Sequence, residues 1–335
     1  MPTRFAILGD GAWGTAIALL LARKDDHRVT LWSARPENAR LLRERRENVR
    51  LLEGVPIPEC VILTEDIAEA VDSADLLVSA IPTVYLRQTL QRIAGTVPAT
   101  ARVLSLTKGI ENTTFLRPTE VLHQVLGVTH IGVLSGPSHA EEVSRGLPTS
   151  LVAASHDLEL ARWVQQSFST DRFRVYTNLD VIGVELGGAL KNIIGIAAGI
   201  SDGLSFGDNT KAALLTRGLV EMTRFGVALG AEPQTFAGLA GLGDLITTCM
   251  SRHGRNRRVG EHLGRGKKLA DVVAGLGGMV AEGVATARSV YERAERMGIE
   301  MPITTEVYRV LYEGKNPRAA VNDLMLRDPR PEQAW

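Results

Sequence analysis

Apolar residues in this chain follow two rhythms, and the change from one to the other comes near Asn178. Before it, short β-branched runs alternate with helical patterns, the signature of a parallel sheet wrapped by helices. The runs predict strands over residues 5–8, 29–32, 76–81, 103–107, 131–135, 150–154 and 173–176. Helical patterns fall between them, as at 15–23, 36–46 and 85–94. After Asn178 strand-like alternation nearly vanishes, and long apolar-periodic segments with glycine punctuation run down to a charged tail at 327–335. The pattern predicts an α/β fold: a doubly wound sheet over residues 1–178, followed by an all-α domain over 179–335. No internal repeat or low-complexity tract interrupts it.

One segment of the second half, residues 184–200, is apolar nearly all round, as a helix buried in a large domain is. Lys191 and Asn192 stand side by side in its middle. A buried ammonium is costly unless paired or employed, and burial makes it give up its proton more easily. Its neighbours at four-residue spacing are Gly187 and Gly195, which reads as a groove beside the amine, wide enough for a small molecule. The alternative is a packing or membrane helix whose Lys reaches out to water, but such a Lys belongs near a helix end. Glu185, Lys191, Asn192 and the glycines also argue against a lipid-facing span.

Composition narrows the setting. A chain of 335 residues with 44% hydrophobic content has material for two cored domains. Its 38 basic and 38 acidic residues cancel, so nothing global points to nucleic acid or an anionic membrane. Cys60 and Cys249 make no disulfide framework, which fits a reducing cytoplasm. The apolar stretch at 5–22 is broken by Gly9, Asp10, Gly11 and Gly14, unlike a secretory leader. The histidines lack metal-ligand spacing, so no metal is expected.

Gly9-Asp10-Gly11-Ala12-Trp13-Gly14 is a GxGxxG run directly after the first predicted strand and opening the first helix. The first glycine permits the turn, the second lets a pyrophosphate approach the backbone, and the third lets helix and strand pack closely. A dinucleotide site follows, with helix-terminal amides facing the phosphates. The second strand ends Leu31-Trp32-Ser33-Ala34-Arg35, with no acid for the ribose before Glu37. That points to NADPH, with Arg35 at the 2′-phosphate and NADH as the alternative cofactor. Arg35 also reads as a solvated residue before Pro36.

Other candidates lie where predicted strands end. Lys108 is the ionisable group closing the apolar run 103–107, placed to touch cofactor or substrate. In the loop 135–142, Ser138 reads as a helix cap with Glu141 three residues on. Further along, Asp244 sits in an apolar, glycine-flanked turn, and a basic cluster follows at 251–258. Its guanidinium groups and the Asn256 amide beside Gly254 suit a phosphate monoester or the cofactor phosphates. Glu282 follows a glycine-rich loop at 275–278 and reads equally as a surface carboxylate.

Taken together, the stretches at 9–16, 106–111, 135–143, 185–199, 241–249, 254–260 and 280–284 resemble bacterial-type NAD(P)-dependent glycerol-3-phosphate dehydrogenase, in family order over nearly the whole chain. The resemblance implies a Rossmann-type first domain and a second like the C-terminal domain of 6-phosphogluconate dehydrogenase. It makes Lys191 the catalytic acid/base. Substrate contacts then fall on Lys108, Gly136, Ser138, Lys191, Asp244, Gly254, Arg255 and Asn256. Cofactor contacts fall on Ala12, Trp13, Lys108, Ala140, Arg255, Val280 and Glu282, besides the fingerprint glycines, with Arg35 near the adenosine end. The chain departs from the family at Ala12, often Ser, and at Ala34, where the family has the Arg that here comes next. Both departures bear on NADP against NAD. The implied activity is reversible reduction of dihydroxyacetone phosphate to sn-glycerol 3-phosphate, in the cytoplasm, for glycerophospholipid synthesis. No nucleic acid and no membrane span are implied, and a homodimer is left open. Two rivals stay in view: another two-domain hydroxy-acid dehydrogenase, of the 6-phosphogluconate or ketopantoate kind, and a non-catalytic NADPH-sensing regulator.

Overall fold

β-Branched runs too short to form a stable hairpin become strands when a helix carries the chain back to lie parallel. The computed structural model describes residues 2–251, 253–276, 280–329 and 331–332. Arg252 of the basic cluster, Gly277 and Gly278 of the glycine-rich loop, and Arg330 and 333–335 of the tail lie outside the described residues. The strands are β1 (Thr3–Leu8), β2 (His27–Trp32), β3 (Val61–Thr64), β4 (Leu76–Ser79), β5 (Arg102–Ser105), β6 (His130–Ser135), β7 (Thr149–Ser155) and β8 (Phe173–Asn178). They form one sheet in the order 3-2-1-4-5-6-7-8. Pairing is parallel except between β6 and β7. β1 lies between β2 and β4, so the strand order reverses there, which is where open α/β sheets take ligands.

Two departures from the predicted strands have physical causes. β3 was not predicted: its run follows a stretch broken by Gly54, Pro56 and Pro58, which reads as loop, yet Val61 pairs with Val29 in the ladder. The expected strands at 76–81 and 103–107 end two residues early, at Ser79 and Ser105. Apolar Ile81 and Leu106 stay buried in the loops beyond, so hydrophobicity outlasts the ladder.

The helices of this first unit are α1 (Ala12–Leu21), α2 (Pro36–Arg45), α3 (Ile67–Val71), α4 (Thr83–Gln91), α5 (Pro118–Leu126), α6 (Ala140–Ser144) and α7 (Leu158–Phe168). Its core gathers Phe5 and Ile7 of β1, Ile17 of α1, Leu31, Val78, Leu104 and Leu134.

By contacts the chain divides into Met1–Thr107 with Pro118–Val181, and Lys108–Arg117 with Ile182–Trp335. The segment Lys108–Arg117, expected in the first domain, therefore packs with the helical unit. That unit comprises α8 (Val181–Gly203), α9 (Gly207–Ala228), α10 (Pro233–Phe236), a π-helical turn (Leu239–Gly243), α11 (Asp244–Met250), α12 (Arg255–Gly264), α13 (Leu269–Ala274), α14 (Glu282–Met297), α15 (Pro302–Tyr312) and α16 (Pro317–Met325). Leu186, Leu190 and Ile193 of α8 pack with Phe225, Phe236 and Leu245 at its centre. α8 is long and apolar enough to cross a bilayer, but 89% of its most apolar window is buried inside the protein, as in a core helix.

Candidate active site

The glycine fingerprint is built from close approaches. Gly9 has φ +120°, and a Cβ there would stand 2.9 Å from the Ala80 carbonyl oxygen, so only glycine fits. A Cβ on Gly14 would lie 2.0 Å from the Gly9 oxygen, which is how closely α1 lies on the turn. Gly11 is different: a Cβ there would meet nothing within 4 Å among the described residues. It caps α1 without a side-chain bond, leaving the first amides of the helix open to a phosphate. The Trp13 indole Nε1 is buried without a hydrogen-bond partner among the described residues. Asp10 accepts from Ser33 Oγ at 2.7 Å and from Asn38 Nδ2 at 3.3 Å, joining the ends of β1 and β2. Arg35 is exposed at the N-cap position of α2. These features fit a dinucleotide: an open helix start, an orphaned donor and an exposed cation after β2.

The loop after β6 departs from the expected capping. His139, not Ser138, is the N-cap of α6, and Ala140 is its first residue. Gly136, at φ +129°, turns the chain so that Ser138 Oγ donates to the Gly136 carbonyl at 2.9 Å.

In the helical unit one carboxylate organises two amines. Lys191 Nζ donates to Asp244 Oδ1 at 2.6 Å and to Thr248 Oγ1 at 2.7 Å. Lys108 Nζ donates to the other oxygen, Asp244 Oδ2, at 2.7 Å. The Asp244 side chain is 1% exposed and that of Lys191 10%. Burial lowers the Lys191 pKa to about 8; Asp244 opposes the shift, and the positive charge of Lys108 adds to it. An ammonium has three hydrogens, and these two bonds use two. Asp244 opens α11 directly after the π-helical turn, a distortion frequent at functional sites. Thr248 lies one turn along the same face of α11.

The glycine face of α8 is no open groove. A Cβ on Gly187 would lie 2.5 Å from the Ala240 oxygen, and one on Gly195 would lie 2.7 Å from the Thr248 methyl. The missing side chains admit backbone and Thr248, which bring Asp244 up to the amine. Asn192, the next residue, faces elsewhere. Consecutive residues point about 100° apart around a helix, so the two side chains take different partners. Asn192 Nδ2 donates to the Gly188 carbonyl at 3.3 Å, and Asn192 Oδ1 accepts from Asn256 Nδ2 at 2.8 Å. Asn256 Oδ1 accepts from the Gly283 amide at 3.0 Å, so this side chain ties α12 to α8 and α14.

Gly254 caps α12, and a Cβ there would stand 2.9 Å from the Thr248 oxygen. Arg255 follows and donates to the Val280 carbonyl at 3.1 Å. Glu282 opens α14, half-buried, and its charge acts on Lys191 in the same sense as that of Asp244.

Two family models cover this chain: the N-terminus of NAD-dependent glycerol-3-phosphate dehydrogenase matches residues 4–161, and its C-terminus matches residues 180–322. The chain belongs to this family. A relative from Chlorobium limicola named glycerol-3-phosphate dehydrogenase (NAD(P)+) is 53% identical, over 98% of either chain. One of the same name from Geobacillus thermodenitrificans is 50% identical over 97% of this chain and 95% of that one. The crystal structure of a glycerol-3-phosphate dehydrogenase from Coxiella burnetii superposes with a TM-score of 0.94 at 39% identity, covering 97% of this chain and 99% of that one.

Within the glycerol-3-phosphate dehydrogenase family fold, the candidate residues fall into two groups. Gly9, Gly11, Ala12, Trp13, Gly14, Arg35, Gly136, Ser138 and Ala140 belong to the sheet unit. Lys108, Lys191, Asp244, Gly254, Arg255, Asn256, Val280 and Glu282 belong to the helical unit. The sequence reading missed Thr248. Its one signal was the four-residue spacing from Asp244, easily passed over because a Thr inside an apolar helix is ordinary.

Proposed function

We propose that the protein interconverts dihydroxyacetone phosphate and sn-glycerol 3-phosphate, using NAD(P)H and favouring NADPH. The observation that carries this reading is the buried Lys191 amine, held by Asp244 and Thr248 and faced by Lys108. When bound, the reduced nicotinamide cofactor supplies the hydride that the ketone carbon receives. Lys191, as an ammonium, gives a proton to the substrate oxygen as its negative charge develops. In the oxidative direction the neutral amine takes the proton from the hydroxyl. Asp244 keeps the amine in place by bonding both lysines, and Lys108 adds a second positive charge for an anionic substrate. Arg255 and the first amides of α12 suit a phosphate monoester, whose binding would position the carbonyl. Arg35 after β2 supports the preference for NADPH. The free thiols Cys60 and Cys249 support a cytoplasmic setting, and a homodimer is the assembly to test.

The deciding experiment follows loss of reduced-cofactor absorbance with dihydroxyacetone phosphate, separately for NADPH and NADH. The expected result is rapid, substrate-dependent oxidation, faster with NADPH at low cofactor, and none with 2-dehydropantoate. Tight cofactor binding with no hydride transfer to any substrate would make the protein a sensor instead.

A further inference from the structure

Lys108 is the first residue of a ten-residue excursion, Lys108–Arg117, that leaves the sheet unit and packs with the helical one. One end is fixed by the Lys108–Asp244 bond. The other ends on Arg117, whose Nη1 lies 2.6 Å from Glu185 Oε2, with the carboxylate side chain 1% exposed and the guanidinium side chain 16% exposed. Glu185 stands on α8, less than two turns before Lys191.

The middle of the excursion is held as well. Ile110 is buried in the helical core, and Ser289 Oγ of α14 donates to its carbonyl at 3.2 Å and also to Asn112 Oδ1. The Phe115 ring lies beneath the Arg296 guanidinium at 4.7 Å. Within the loop, Phe115 N donates to the Glu111 carbonyl at 3.0 Å and Glu111 N to that of Leu116 at 2.9 Å. Thr113 and Phe115 sit at φ 74° and 60°, a left-handed conformation that residues with side chains keep only where their surroundings over-determine it.

We infer that Arg117 and Glu185 are positioning residues for the reaction: their ion pair anchors the excursion to the helix that carries Lys191, and so sets where Lys108 stands against Asp244. A buried ion pair adds little net stability against an apolar replacement, so geometry is the better account of what this one contributes. The inference rests on the reading of Lys108 as a substrate-side cation.

Replacing Arg117 alone would take this guanidinium from the buried Glu185 carboxylate, so the main variant is Arg117→Met/Glu185→Gln, with Arg117→Lys as the conservative control. The double variant should lose about 10- to 100-fold in kcat/KM for dihydroxyacetone phosphate, the scale of an ångström-sized misplacement. NADPH affinity, by fluorescence titration, should change by less than about twofold. The high-pH limb of kcat/KM should move to higher pH, because Lys108 no longer holds down the Lys191 pKa. Arg117→Lys should recover most of the loss. Placed on a Lys108→Met background, the pair substitution should add less than about twofold, since both act through one amine. Multiplying losses on that background, or an unmoved pH limb, would overturn the inference and leave the ion pair structural. Near-normal activity of Lys108→Met alone would instead sink the reading of Lys108, and this inference with it.

Discussion

At the scale of one residue, the energetics of Lys191 predict a pH dependence with a definite sign. Burial outweighs Asp244 and brings the amine to about 8, where an ordinary lysine stays charged. Reduction of the ketone needs the ammonium form, so kcat/KM for dihydroxyacetone phosphate should be level below pH about 8 and fall about tenfold per pH unit above it. Oxidation of glycerol 3-phosphate needs the neutral amine and should rise through the same pH. Initial rates in both directions between pH 6 and about 10 check this. Two limbs bending the same way would remove Lys191 as the proton carrier. Much of this residue was legible beforehand, because a charge in an apolar run is a conflict that demands a partner. The partner's side of it was only half legible: Asp244 stood out among glycines, whereas Thr248 did not.

Among elements, glycine decides how closely α8 is approached. A Cβ on Gly199 would lie 1.9 Å from the Arg257 oxygen, and one on Gly260 would lie 1.9 Å from the Ile196 oxygen. Sequence pattern alone reads such a face as empty, since an absent side chain marks an open slot and a backbone crossing alike. The contact between α9 and α15 is of another kind. Glu221 of α9 accepts from Ile303 N at 2.6 Å and from Thr304 N and Oγ1 at 3.2 Å each, capping the start of α15. Burial pushes its pKa up to about 7, against those bonds. The folded state therefore holds this proton through the window from the unfolded carboxyl range, near 4.5, up to about 7. Stability from this group is full below that window and is lost as pH rises through it. Above pH 7 the charged carboxylate costs up to roughly 3 kcal/mol. Glu221→Gln forfeits part of the cap at every pH, about 1 kcal/mol, but removes the titration. Its urea midpoint relative to the parent protein should therefore be better at pH 8 than at pH 5. A difference independent of pH would mean that the carboxylate does not titrate in that range.

For the whole molecule, the sheet unit was the more legible half because strands buried on both faces announce themselves as β-branched runs, and a glycine fingerprint names its own turn. The excursion Lys108–Arg117 was not legible, since nothing in its composition says which core Ile110 enters. What the placing of the glycine fingerprint in one unit and of Lys191 in the other does predict is that binding of the nucleotide's phosphates and proton transfer are separable. Gly11 has an ordinary φ of −62°, and a Cβ there meets nothing within 4 Å among the described residues, so Gly11→Ala should fold with its melting temperature nearly unchanged. The methyl would occupy the space a phosphate needs, raising the Kd for NADPH about 10-fold or more. At saturating cofactor the pH limb from Lys191 should stay where it is. Lys191→Ala should do the reverse, cutting turnover about 10²–10⁴-fold while NADPH binds as before. Fluorescence titration of NADPH and single-turnover rates at several pH values measure both arms. The separation fails if Lys191→Ala weakens NADPH by as large a factor as it slows turnover. It fails equally if Gly11→Ala shifts the pH limb, because the nucleotide turn would then be setting the charge state of the amine.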